Sequence, residues 1–214
     1  MRLTRRITTL LLALVTALAL AGSAGAGGAN HVVIAQNTTD GATVVNAGTE
    51  VVPVATDDVT SSNIAAAVNA GCTGCHSTAV SVQILIVKGS PSTFSPANFA
   101  GAANGGCDGC GAFAFARQYW IQVDQTTNLS PAAHQQIAQL RGEIADAAAS
   151  ILPSDAATDP CMPYDHVVPV CSRDYQLNAT LMDLSNQLIQ VVTNDLQGQG
   201  DATATLFDGV QDEG

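Results

Sequence analysis

The sequence predicts an α+β fold: repeated β-hairpins with C-x-x-C-stapled turns form a sheet, and a two-helix hairpin follows. Three observations carry this reading. "NIAAAVNAGCTGCHSTAVSVQILIV" from Asn63 and "NFAGAANGGCDGCGAFAFARQYWIQV" from Asn98 align without a gap at an offset of 35 residues. Each copy centres on Thr-Gly or Asp-Gly between its two cysteines, and glycine accepts the positive φ that a tight turn needs. Beyond Asp124 the apolar residues change from alternation to a spacing of three and four, the period of a helix.

Residues 1–26 read as an export signal. Arg2, Arg5 and Arg6 precede an apolar run from Ile7 to about Leu20, and Ala24-Gly25-Ala26 fits a small-residue cleavage site. The run is short for a bilayer span, and no stop-transfer charges follow it. Residues 27–126 are the hairpin region. A weaker first copy, "HVVIAQNTTDGATVVNAGTEVVPV", is expected at the same offset, with Asn37 and Asp40 where the cysteines sit. In the second strand of the next copy Val80, Val82, Ile84 and Ile86 face one way, and Ala79, Ser81, Gln83 and Leu85 the other. The matching face one copy on is Phe115, Arg117, Tyr119 and Ile121. "KGSPSTFSPA" separates the copies, with Gly89, Pro91 and Pro96 as breakers.

Residues 127–197 form the helical hairpin. Ser130-Pro131 supplies a cap and a first-turn proline. Ile137, Leu140, Ile144, Ala148 and Ile151 make one apolar stripe. Leu181, Leu184, Leu188, Val191 and Leu196, after a cap at Asn178, make the second. Cys161 and Cys171 lie in the loop between them. The acidic tail, residues 198–214, is expected to be loose.

Composition bounds the function. With the signal removed, only Lys88, Arg117, Arg141 and Arg173 remain against 18 acidic side chains. Such a surface repels phosphate backbones, which disfavours nucleic acid as a partner. No other apolar run approaches membrane length. There is no H-E-x-x-H, no G-x-S-x-G and no phosphate-binding glycine loop. Asp165-His166 reads as a surface pair, not an acid–base dyad. Asn37-Thr-Thr, Asn128-Leu-Ser and Asn178-Ala-Thr match glycosylation acceptors.

Six cysteines in an exported chain point to an oxidising compartment and three bridges. Cysteines at positions i and i+3 of a turn lie within reach of a disulfide, so Cys72–Cys75 and Cys107–Cys110 are expected to pair. Cys161–Cys171 is the third bridge. Chain entropy assigns about 1.9 kcal/mol to each four-residue loop and about 2.8 kcal/mol to the longer one, which makes them local staples. Zinc held by Cys72, Cys75, Cys107 and Cys110 is a rival, since C-x-x-C, 31 residues and C-x-x-C is a workable ligand spacing. Haem is another, because Cys72, Cys75 and His76 spell C-x-x-C-H. The next copy has Gly111 where His76 stands, so the repeat does not require that histidine. Thiol–disulfide exchange is a third, but such pairs usually sit at a helix N-terminus that lowers the thiolate pKa.

"AVNAGCTGCHSTAVSVQILIV", "SPANFAGAANGGCDGCGAFAFARQYWIQV" and "LSPAAHQQIAQLRGEI" together resemble an uncharacterised domain of exported and surface proteins of actinobacterial type. Its members carry paired C-x-x-C units split by a proline-rich segment, then one or two helices. The resemblance covers roughly residues 37–152. Some relatives bear the name of a peptide zinc metalloprotease protein, but no zincin motif is present here and that activity does not carry over. The expectation is a secreted or envelope-associated, non-catalytic binding or structural module. No cofactor is expected and the partner stays open, a protein or envelope component being the candidate; the four-cysteine metal site and the c-type haem are the alternatives.

Overall fold

A repeat that returns the same residue type every 35 positions also returns the same hydrogen-bonding groups, and this chain pairs like with like. The computed structural model describes residues 29–125, 128–155, 162–164, 168–170, 172–201 and 205–213. Six strands come first: β1 His31–Asn37, β2 Thr43–Val54, β3 Asp58–Ala70, β4 His76–Lys88, β5 Thr93–Gly105 and β6 Gly111–Val123. The odd strands form one parallel sheet in the order β1-β3-β5. The even strands form a second in the order β2-β4-β6. Each copy therefore contributes one strand to each sheet, and the chain winds between them as a flattened β-solenoid.

This corrects the hairpin reading. The two strands of a copy do not pair with each other. Asn63 lies against Asn98 and Asn69 against Asn104, in a ladder that holds the 35-residue offset along the whole of β3 and β5. His76 through Lys88 likewise run in step with Gly111 through Val123. The first copy follows at a different offset from the one expected. Asn37 pairs with Asn69, and Thr43 with His76, because its connecting turn is one residue shorter and its link to the next copy is two residues shorter. Asn37 thus stands in the asparagine ladder, not in the cysteine column. Buried there at 2% exposure, it is closed to glycosylation.

Inward-facing residues explain why the sheets pack closely. Ala35, Ala65, Ala67, Ala79, Ala114 and Ala116 fill the interface with little volume. Polar ladders cross it between them. Asn69 Nδ2 donates to Asn104 Oδ1 at 2.8 Å and to Gly111 O at 2.8 Å. Gln118 Nε2 donates to Gln83 Oε1 at 2.7 Å and to Ser61 Oγ at 3.1 Å. Stacked amides satisfy each other's donors, so the interior tolerates groups that would be costly if unpaired.

The outward face of β4 and β6 is the larger core. Val80, Val82, Ile84, Ile86, Phe115, Tyr119 and Ile121 are buried beneath two helices. These are α1, Pro131–Ser150, and α2, Ser172–Gly198. Helix α1 buries Ala133, Ile137, Leu140, Ile144 and Ala148, which is the expected stripe save that Ala133 joins it and Ile151, at the C-cap, is only partly buried. Helix α2 begins seven residues earlier than expected, so Asn178 lies inside it and is no cap. Burial pushes the Tyr119 phenol up to about 12 despite the nearby Arg117; its hydroxyl donates to Asn186 Oδ1 at 3.0 Å. Short strands β7, Met162–Tyr164, and β8, Val168–Val170, pair between the helices. The tail is another departure. β9, Thr205–Glu213, pairs antiparallel with β6 and covers that edge of its sheet. Among the described residues no helix is long and apolar enough to cross a membrane. The export signal and the Cys161–Cys171 bridge lie outside the described residues.

The helices are tied together at one carboxylate. Ser130 caps α1 by accepting from Ala133 N–H. Asp195 of α2 in turn accepts from the Ser130 backbone N–H at 2.8 Å and from its hydroxyl. Burial alone would raise the Asp195 carboxyl, but hydrogen bonds from Ser130 and Gln199 and the charge of His134 outweigh it and hold it below the usual range. Its folded pKa is therefore below its unfolded one. The stabilisation is complete above the unfolded value, near ~4, and is lost as pH falls through the folded value. Asp195→Asn is expected to cost about 1 kcal/mol at neutral pH, after allowance for solvent screening. In thermal melts the gap between parent and variant should narrow below about pH 4; an equal gap at both ends of the scale would contradict the assignment.

Candidate functional site

The turns between paired strands form one tip of the solenoid. Gly71 and Gly74 have φ of 64° and 62°, and Gly106 and Gly109 have 63° and 64°, so both turns bend in the same way. Their backbone donors reach the next rung. Gly71 N–H donates to Gly105 O at 2.9 Å, Gly74 N–H to Asp108 O at 2.8 Å and Gly111 N–H to Cys75 O at 3.1 Å. The first-rung turn backs this stack, because Thr73 N–H donates to Asp40 Oδ1 at 2.7 Å. A hairpin turn would close on itself. These turns close on their neighbours, and that places cysteine over cysteine.

Four sulfurs consequently converge. The Sγ atoms of Cys72, Cys75, Cys107 and Cys110 all lie within 4.8 Å of one another. Cys72 Sγ and Cys75 Sγ lie at disulfide distance. Cys107 and Cys110 are free thiols, which corrects the second expected bridge. Cys110 Sγ is turned toward Cys75 Sγ, 2.9 Å away. Cys107 Sγ lies 3.8 Å from both Cys72 Sγ and Cys75 Sγ. The inner pair is buried, Cys72 at 3% and Cys75 at 0% exposure, while Cys107 and Cys110 are half-buried at the rim. Burial, with a hydrogen bond donated to Cys107, pushes the Cys110 thiol up.

The donor set suits a thiophilic ion. A tetrahedral zinc with Zn–S near ~2.3 Å spaces its sulfurs ~3.8 Å apart. Two of the contacts above already have that length. Loading the site requires the Cys72–Cys75 bond to be reduced and Cys110 to withdraw from Cys75. Second-rung and third-rung backbone contacts hold both turns without help from the sulfurs, so the site is positioned before any ion arrives.

His76 is no incidental neighbour of the bridge. It pairs in register with Gly111, and a Cβ on Gly111 would stand 2.8 Å from His76 Nδ1 and 2.7 Å from the carbonyl oxygens of Pro153 and Ser154. Glycine is needed there because an imidazole and a loop already occupy the space. His76 Nδ1 is buried without a hydrogen-bond partner. The haem alternative fits poorly with this geometry. Its two thioether sulfurs would be a buried disulfide, and its axial ligand is packed against the next rung.

No family model, curated protein or solved structure matches the chain. Sequence spacing identified all four thiols and offered their meeting only as the zinc alternative, because the contact depends on copies stacking in register. The signal was present in the gapless alignment, where Cys72 falls on Cys107 and Cys75 on Cys110.

Proposed function

We propose that the chain is a structural or binding module of the cell exterior whose solenoid is clamped at one tip by Cys72, Cys75, Cys107 and Cys110, and that these thiols take one zinc ion when reduced. The observation that supports it is the convergence of four sulfurs within 4.8 Å. Two of the inter-sulfur distances match a tetrahedral thiolate site. The ion would tie two rungs together and stabilise the folded state in proportion to its affinity. An export signal and a strongly acidic surface support a location outside the cytoplasm, with a protein or envelope component as partner rather than nucleic acid.

The test is a zinc titration of the fully reduced chain under anaerobic conditions, followed by thermal melting. One equivalent should bind and raise the melting temperature by several degrees, as saturation at ~100 times Kd adds about 2.7 kcal/mol. Cys107→Ser/Cys110→Ser should bind no zinc at the tip. Melting that is indifferent to zinc in the reduced parent chain would contradict the proposal. A second reading is favoured by the Cys72–Cys75 bond itself. Under oxidising conditions the same cluster acts as a covalent staple, and zinc has no place in it.

A further inference from the structure

The tip holds a disulfide and two free thiols in contact, which is the starting arrangement for thiol–disulfide exchange. We propose that the stacked turns form a two-step thiol–disulfide relay, in which the rim pair Cys107/Cys110 exchanges with an external dithiol and the buried pair Cys72/Cys75 stores the oxidising equivalent. This adds an activity to the structural reading above and does not depend on zinc.

The sulfurs are ordered for it. Cys110 Sγ is 2.9 Å from Cys75 Sγ, one end of the bond to be broken. In the first step the Cys110 thiolate attacks Cys75. The Cys75–Cys110 bond forms, the Cys72–Cys75 bond breaks, and Cys72 leaves with the electron pair and takes up the proton that Cys110 lost. In the second step the Cys107 thiolate attacks Cys110. The Cys107–Cys110 bond forms, and Cys75 leaves as a thiolate and takes the Cys107 proton. The net change moves one disulfide from the inner to the rim pair, with no outside oxidant. An external dithiol then reduces the rim bond through a mixed disulfide, leaves as a disulfide, and returns two thiols to the rim.

Burial separates the roles. At 3% and 0% exposure, Cys72 and Cys75 are closed to a bulky reagent, whereas the rim thiols are not. Attack within the folded tip has the advantage of an effective concentration no external thiol can match. The tip lacks the helix N-terminus that activates other C-x-x-C pairs, so proximity is the main source of rate.

Two measurements on the full chain test the relay, both with chelator present so that metal does not mask the thiols. In the first, Cys107→Ser is oxidised to one disulfide per tip, quenched in acid, alkylated and mapped by mass spectrometry. This variant halts the relay after its first step. Free Cys72 and free Cys110 should occur in complementary shares, each at least a tenth of the molecules. Label on Cys110 alone, after hours of equilibration, would overturn the proposal. In the second, a reduced dithiol protein is the reductant, and the circular dichroism of each variant confirms folding. Loss of the Cys72–Cys75 bond should slow at least tenfold in Cys107→Ser/Cys110→Ser relative to the parent. Equal rates would mean that the inner bond is reached directly and that the rim pair relays nothing. Zinc binding by the reduced parent is read separately, so either idea can fail alone.

Discussion

Replacing Asn63 with aspartate is expected to lower stability by about 3–5 kcal/mol at neutral pH, although the side chain barely changes size. Asn63 is 0% exposed. Its Nδ2 donates to Asn98 Oδ1 at 2.7 Å, Ser81 O at 3.1 Å and Arg117 O at 3.1 Å, which ties β3 to β5 and to both even strands beside it. A carboxylate there turns three acceptors toward a fourth and buries a charge. Ser81 Oγ would still donate to the other oxygen, and His31 Nδ1 at 3.3 Å would face it when protonated. The buried carboxyl would have a folded pKa above its unfolded value. The deficit should therefore be small below about pH 4 and grow as pH rises toward the folded value. Chemical denaturation at several pH values checks this. Stability like that of the parent at pH 7 would show that the ladder is not what joins the sheets.

Phe115→Ala is the other large effect, at about 3–5 kcal/mol. Phe115 is fully buried in the core shared by β4, β6, α1 and α2. If the helices pack on the sheet as one unit, the variant should lose helical and β signals together, in a single transition shifted down by roughly 10 °C. Two separated transitions, with the helices melting early, would mean that the helical hairpin stands apart from the solenoid.

Much of this was legible in the sequence. The alternation along β4 assigned Val80, Val82, Ile84 and Ile86 to one face, and those four are the residues that meet the helices. The stripe of α1 was equally clear. The repeat was visible, yet its pairing was not, because a short turn flanked by alternating residues has the same local signature in a hairpin and in an arch. What distinguishes the two is long-range. Asn63 with Asn98, Asn69 with Asn104 and Gln83 with Gln118 recur at one offset, and identical buried amides stack only when copies run parallel and in register. The first copy broke that offset by a turn one residue shorter and a link to the next copy two residues shorter, so alignment to the cysteine column misplaced Asn37. β9 escaped because an acidic, glycine-containing tail lacks strand periodicity; it forms against the edge that β6 offers.

The stacking of the two C-x-x-C turns is the claim on which the site depends, and one cross-link tests it. Cys72→Ser/Cys107→Ser leaves a single tip cysteine on each rung, Cys75 and Cys110, whose sulfurs lie 2.9 Å apart. In a meander of hairpins the two tips would be separated by two strand spacings, about 10 Å. After mild oxidation at low protein concentration, mass spectrometry of the proteolysed variant should recover the Cys75–Cys110 peptide pair in nearly every monomer. Two free thiols, or bonds found only between separate molecules, would contradict the stacked solenoid.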